Sequence, residues 1–594
     1  MLSHYNLKLV ALLSAIGGVW AKMVTTTNGT INGSTCDGYD VDYFLAIPYA
    51  EPPVGDLRFA APEPYSKTYD GGVLNATSPA PNCPQVDTSF IETGAASEDC
   101  LFIDIWAPTG AVKGSNLPVK VWLFGGSNTA GSISDALYDG CPSAKDSIVV
   151  SINYRLGPLG FLAYPDAGIE GNFAVRDQLL ALSWIQEEIA SFGGDPDKVL
   201  LFGQSAGAID AFALASLPQA PSFFRAVAMQ SGGGRDSPNV EWTKPFYSKF
   251  IRSLGCSLDS GDTVDCLRKV SVTDMNNTVI EQDEVPSGGI SASTIISNNG
   301  VGGAWIPVVD GKVIPENPAK VGVRVPAIFG SATMDGSFFV LSYYRTSVMN
   351  ITEADYDKFL SVSFGPLAIT VNKTYPWSAF EEFSPFQGFA AMTTIYTENS
   401  FKCPAYRGLK AAASKGIDAW AYSFNHTDSC PWFTSIPSEP EELKVFGPTH
   451  TSDIPFVFAQ TKNLPRPNGS CNFTVAEDAI SNFMVSAWTS MAENGRPANN
   501  SMWPAWTPTS NEGITITDAV STGPLNMTVC EFWDNIIDEL SKIDANAAAN
   551  VSASNATGSQ TSTPTEPATS GSNSFWTSKG SIAYLFVLLV GFLN

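Results

Sequence analysis

Histidine is scarce in this chain: there are three among 594 residues, His4, His426 and His450. Chemistry that needs an imidazole base therefore has few places to sit. Positive charge is also short, with 33 Lys and Arg against 58 Asp and Glu, a formal net charge of -25 and a pI near 4.4. Such a surface repels phosphate backbones, and no basic cluster offsets it, which excludes nucleic-acid binding and polybasic membrane docking. A long apolar run is missing too. The C-terminal one, Ile582 to Leu593, is too short to span roughly 30 Å of hydrocarbon as a helix. No Cys/His cluster has metal-ligand spacing, so no metal and no other cofactor is expected.

What remains describes a globular protein: 44% of residues are hydrophobic and 15% charged, in a chain long enough to bury a large core. Residues 1–21 read as a secretory signal. Lys8 precedes the apolar "LVALLSAIGGVW", and "VWA" ends on a small residue, which puts cleavage after Ala21. The ten cysteines, an even number, suit an oxidising compartment. Thirteen N-x-S/T sequons, at Asn28, Asn32, Asn75, Asn276, Asn350, Asn372, Asn425, Asn468, Asn472, Asn499, Asn526, Asn550 and Asn555, favour a glycosylated exterior. Residues 545–574 are mostly Ser, Thr, Ala, Asn, Gly and Pro, with almost no large apolar residue, a flexible stalk. Small residues at Ser570 to Ser574, a polar spacer and the apolar tail make residues 575–594 a GPI-attachment propeptide. The expected product is an extracellular domain, residues 22–544, touching the membrane only through a glycolipid. Its oligomeric state is not legible.

The chemistry concentrates at "LFGQSAGA", residues 201–208, where Gly203-Gln204-Ser205-Ala206-Gly207 forms a G-x-S-x-G pattern. Alone it is a weak signal, but its surroundings alternate strand and helix. "KVWLF" (120–124), "SIVVSINY" (147–154) and "KVLLF" (198–202) are short, apolar and β-branched, as buried parallel strands are. Helical spacing runs from Asn172 to Ser191, and the Ala-rich "AGAIDAFALAS" after Ser205 reads as a helix. Strand, tight turn and helix are the context a nucleophile elbow requires. The prediction is an α/β fold with a large, mostly parallel sheet flanked by helices in a single large domain.

A serine nucleophile needs a base, normally histidine, and a group that orients the base. His4 lies in the leader. His426 lies inside a sequon and is expected to be exposed. That leaves His450, in "GPTHTSDIPFVF". The acid should fall between Ser205 and His450 if the order is Ser, acid, His. Asp335, in the loop after the short strand "VPAIFG" (325–330), is one candidate among many acids in that interval.

Four stretches carry a resemblance: "FLAIPYAEPPVGDLRF" (44–59), "SEDCLFIDIW" (97–106), "SINYRLGPLGFLA" (151–163) and "GNFAVRDQLLALSWIQEEIASFGGDPDKVLLFGQSAG" (171–207). Over roughly residues 25–540 the chain resembles the type-B carboxylesterase/lipase family of cholinesterase-like α/β-hydrolases, with a fungal-type, secreted flavour. The resemblance implies an α/β-hydrolase fold and a serine ester hydrolase, with Ser205, Asp335 and His450 as triad. Aspartate stands where the family usually has glutamate. The oxyanion donors implied are Gly126, Ser127 and Ala206, with Ser127 replacing a third glycine. Gln204 replaces a frequent glutamate, which disfavours cationic substrates. The disulfides implied are Cys83–Cys100, Cys256–Cys266, Cys403–Cys530, Cys430–Cys471 and, by exclusion, Cys36–Cys141. In family lipases the loop between the first paired cysteines is a long lid; Pro84 to Asp99 here is short, with only Val86, Phe90 and Ile91 large and apolar. The expected partner is therefore a small, soluble short- to medium-chain ester. The alternatives are a lipase on long-chain acylglycerols and a non-catalytic surface adhesion protein, which typically lacks a triad member.

Overall fold

A computed structural model describes residues 22–85, 94–259, 261–278, 305–436, 444–498, 502–540 and 542. The leader, stalk and C-terminal tail lie outside the described residues, as do Asn499, Val86, Phe90 and Ile91.

Thirteen strands are described: β1 (Lys22–Thr26), β2 (Gly29–Thr35), β3 (Val41–Pro48), β4 (Val73–Asn75), β5 (Phe102–Pro108), β6 (Leu117–Leu123), β7 (Ile148–Ile152), β8 (Gly194–Gln204), β9 (Ala226–Gln230), β10 (Ala327–Ala332), β11 (Ala419–Phe424), β12 (Glu512–Ile516) and β13 (Val520–Pro524). They form one sheet in the order β1-β2-β3-β5-β7-β6-β8-β9-β10-β11-β12-β13, with β4 beside β2. From β7 across to β12 every pairing is parallel. The antiparallel pairs sit at the margins. Every residue of β7, β9 and β10 is buried. That is why these strands are rich in Val, Ile, Ala and Phe and show no polar alternation: both faces are covered.

The covering helices include Phe173–Glu188, Ala206–Ser216 and Val475–Asn494; the last two pack on β8. The first ends three residues before the predicted boundary because the chain tightens into a 3-10 turn over Ile189–Phe192, closed by Gly193 at φ 93°. The elbow helix spans the eleven residues the sequence predicts. Helices between β10 and β11 close over an apolar cluster of their own, built on residues such as Tyr356, Phe364, Met392 and Trp533.

Two residues in the quoted motifs serve the frame rather than the chemistry. The Arg155 guanidinium, 2% exposed, grips the fully buried Asp177 with two nitrogens, at 2.8 and 2.6 Å. A bidentate pair of this kind satisfies both charges inside the core. The five cysteine pairs implied by the resemblance are all bonded, with Cα–Cα separations from 5.0 to 5.9 Å. Asn75, Asn350, Asn425, Asn468, Asn472 and Asn526 are exposed, which leaves these sequons open to a glycan. Among the described residues, no helix is long and apolar enough to cross a membrane, and no group of three His, Cys, Asp or Glu side chains could hold a metal ion.

Candidate active site

At the C-terminal edge of the parallel strands, β8 ends at Gln204 and the next helix begins at Ala206. Ser205 alone makes the turn, at φ 57° and ψ -126°. A non-glycine residue there is strained by about 1–3 kcal/mol and persists only where its surroundings over-determine it. The two glycines explain how the turn closes. A Cβ on Gly207 would lie 2.0 Å from the Leu123 carbonyl, and one on Gly203 would lie 2.5 Å from the Gly207 backbone. The helix thus rests directly on the end of β6, and the serine is left part-exposed at the crest.

His450 and Asp335 come from two other segments. His450 Nδ1 lies 2.8 Å from Asp335 Oδ1, with His450 3% exposed and Asp335 fully buried. The other carboxylate oxygen, Oδ2, accepts the Ala332 backbone N–H at 2.8 Å and the Ser231 hydroxyl at 2.9 Å. The acid is therefore fixed in rotation, with one oxygen reserved for the imidazole. Asp335 is not in a loop, as the sequence suggested. It opens the helix Asp335–Tyr344, where the helix dipole favours a negative charge. The imidazole is walled by Phe401 and Phe339, with ring centroids at 4.8 and 4.9 Å, and Phe338 at 6.3 Å.

Comparison with known proteins fits this geometry. The model of the carboxylesterase family matches residues 21–533. The chain belongs to the carboxylesterase family. It is similar to para-nitrobenzyl esterase of Bacillus subtilis, 32% identical over 84% of this chain and 96% of that one. It is likewise similar to a cholinesterase of Mus musculus, 30% identical over 89% of this chain and 90% of that one. The solved structure of PNB esterase superposes with a TM-score of 0.67 at 28% identity, over 86% of this chain and 99% of that one. The fold is accordingly the α/β-hydrolase fold, and the protein is a carboxylic ester hydrolase.

In this carboxylesterase the loop after β6 departs from glycine and still takes up left-handed backbone. Gly126 has φ 113°, Ser127 φ 56° and Asn128 φ 57°. Among the described residues, the amides of Gly126, Ser127 and Ala206 meet no acceptor. Three free N–H groups beside a strained serine can hold an oxygen that gains negative charge.

The Gln204 amide nitrogen lies 3.4 and 3.3 Å from the two ring nitrogens of His450. Near-equal distances put it over the face of the imidazole, not in line with either lone pair. Being neutral, it leaves the histidine's field to Asp335 and to a second buried carboxyl that the sequence reading missed. This is Asp453, which accepts the Tyr422 hydroxyl at 2.7 Å and is pushed up to about 6 by burial. Its only sequence signal was its place in "HTSDIPFVF".

His426 corrects an expectation. It is buried, not exposed, although its neighbour Asn425 faces solvent. Its ring lies 3.1 Å from Glu477 and 3.0 Å from Asp518, both outside the Ser205 constellation. His4 lies outside the described residues. Ser231, at φ 52°, is a further residue the sequence did not flag; only the three-dimensional return of β9 toward Asp335 reveals it.

Proposed function

We propose that this carboxylesterase hydrolyses soluble short- to medium-chain esters through an acyl-enzyme on Ser205. One observation carries the reading: Ser205, strained and part-exposed, follows directly on Gln204, whose side-chain amide lies against a histidine whose Nδ1 is held by a buried, rotationally fixed carboxylate. In this reading the Asp335 bond keeps the proton on Nδ1 and leaves Nε2 free to take the Ser205 proton. The alkoxide attacks the ester carbonyl, and the oxyanion rests on the amides of Gly126, Ser127 and Ala206. His450 then protonates the departing alcohol. Water, activated by the same imidazole, releases the acid and restores the serine.

Two features support a soluble ester. Gln204 places no negative charge beside the serine, which removes a reason to favour cationic alcohols. The cover between Cys83 and Cys100 is short, and its base is pinned: Gln85 exchanges hydrogen bonds with Gly131 at 3.2 and 2.9 Å and accepts from Asn276 at 2.9 Å. A short, tethered cover offers little apolar area to an oil surface, where adsorption scales at about 25 cal/mol per Å². The leader, the sequons and the C-terminal signal support a secreted, glycosylated protein held at the cell surface by a glycolipid.

The test is turnover of p-nitrophenyl esters by Ser205→Ala. Loss of several orders of magnitude in kcat, with a normal melting temperature, is expected. Near-normal turnover would end the reading.

A further inference from the structure

Behind the oxyanion loop lies a carboxyl that the chemistry above does not use. Asp210 is the fifth residue of the elbow helix and is fully buried. Its helix neighbours are Ala208, Ala211, Phe212 and Leu214, all buried, and burial pushes its carboxyl up to about 7. Placing an acid there is unfavourable unless it is specifically bonded. The bonds are specific. Oδ1 accepts the Asn128 side-chain amide at 3.2 Å, and Oδ2 accepts the Gln178 amide at 2.7 Å. Gln178 belongs to the helix Phe173–Glu188, and both amide donors are themselves fully buried.

Asn128 is the residue after Ser127, and these are the two non-glycines that take left-handed backbone in the loop. That conformation costs a side-chain-bearing residue roughly 1–2 kcal/mol unless something holds it. Asn128 is held at both ends. Its side chain is bonded to Asp210, and its carbonyl accepts the Gly157 N–H at 2.7 Å. The helix that presents Ser205 therefore also grips the loop whose amides face it.

We propose that Asp210 is a positioning residue for the oxyanion loop. Through Asn128 it locks the Ser127-Asn128 pair left-handed, so that the Gly126 and Ser127 amides stay aimed at the ester carbonyl without a third glycine. The inference rests on Ser205 being the nucleophile and adds the device that keeps its electrophilic partner in place. Asp210 touches no substrate. Its effect should appear where the oxyanion forms and not where the ester first binds.

Three variants of the full-length protein test this. Asp210→Leu puts a larger, apolar side chain there and removes both acceptors. Asn128→Gly keeps the left-handed backbone but removes the other arm. Asp210→Asn retains the link, because the Asn128 amide can turn and offer its oxygen, which takes no donor among the described residues. A misaimed donor should lower kcat about 10- to 100-fold in Asp210→Leu and Asn128→Gly, with KM for a butyrate ester changed less than about threefold. Affinity for a trifluoromethyl ketone, whose serine adduct carries the oxyanion, should fall in parallel with kcat/KM. The Asn128→Gly/Asp210→Leu double variant should be no worse than the worse single, because both break one link. Asp210→Asn should stay within about threefold of wild type, since its neutral hydrogen bond replaces the charged one.

If Asp210→Leu does not fold, Asn128→Gly decides alone. A folded Asn128→Gly enzyme with kcat and ketone affinity within twofold of wild type would overturn the proposal, as would an Asp210→Asn enzyme as impaired as Asp210→Leu. Residual turnover in Ser205→Ala is a separate result, and it would sink the underlying reading instead.

Discussion

Replacing Asp335 by asparagine probes the hydrogen-bond geometry around the histidine. The Oδ2 position receives two donors, the Ala332 N–H at 2.8 Å and the Ser231 hydroxyl at 2.9 Å. The amide oxygen of the introduced asparagine must stay there, which turns its NH2 group toward His450 Nδ1. That ring nitrogen must then accept, and its proton moves to Nε2, the side that should take the serine proton. Recovering the right tautomer means turning the amide round and leaving the buried Ala332 N–H without an acceptor, at a cost of about 1–3 kcal/mol. The forming imidazolium also loses its anion, worth about 4 kcal/mol for charges about 4 Å apart at an effective dielectric of about 20. Together these give about 5–7 kcal/mol, or roughly 10⁴- to 10⁵-fold in kcat. The assay is steady-state hydrolysis of p-nitrophenyl butyrate, with Asp310→Asn as control. Asp310 gives one oxygen to the backbone amides of Lys312, Val313 and Ile314 and the other to Asn172. A loss under tenfold in Asp335→Asn, or equal damage in Asp310→Asn, would refute the reasoning.

Other outcomes follow from the same structure. Burial would push the Glu477 carboxyl up, but hydrogen bonds from His426, Ser429 and Thr474 outweigh it and hold the group at about 2 against an ordinary 4.5. Its stabilisation is complete above pH 4.5 and is lost as the pH falls toward 2, so Glu477→Gln should lower Tm at pH 7 by more than at pH 3; an equal deficit at both would contradict this. Rates on soluble butyrate esters should exceed those on a triolein emulsion, with no jump at the solubility limit, and the reverse order would restore a lipase. Phosphatidylinositol-specific phospholipase C should release the protein from membranes with a chain ending between Ser570 and Ser574; recovery of intact surface protein containing Phe592 would refute the anchor.

The sheet and the elbow were legible because their signals are local. A buried parallel strand writes its burial in consecutive apolar residues, and Gly203 and Gly207 mark a close approach that any larger side chain would block. The environment of the acid was less legible. Asp335 could be singled out only by resemblance, since its partners Ser231 and His450 lie about a hundred residues away on either side. His426 misled because a sequon describes Asn425, and alternate residues of an extended segment face opposite ways. Its burial is decided by Glu477, on a helix that begins some fifty residues later. The same holds for Asp210: an acid in an Ala-rich helix reads as a surface residue until Asn128 and Gln178 are seen to converge on it.

Catalysis by this carboxylesterase is proposed to run through Ser205. A fluorophosphonate probe, which reacts only with an activated serine, tests it most directly when the adduct is mapped by peptide mass spectrometry. A single adduct on Ser205 is expected, with labelling gained at the rate at which ester turnover is lost. An active enzyme that the probe leaves unlabelled at Ser205, or an adduct on another serine that tracks the loss of activity, would contradict it.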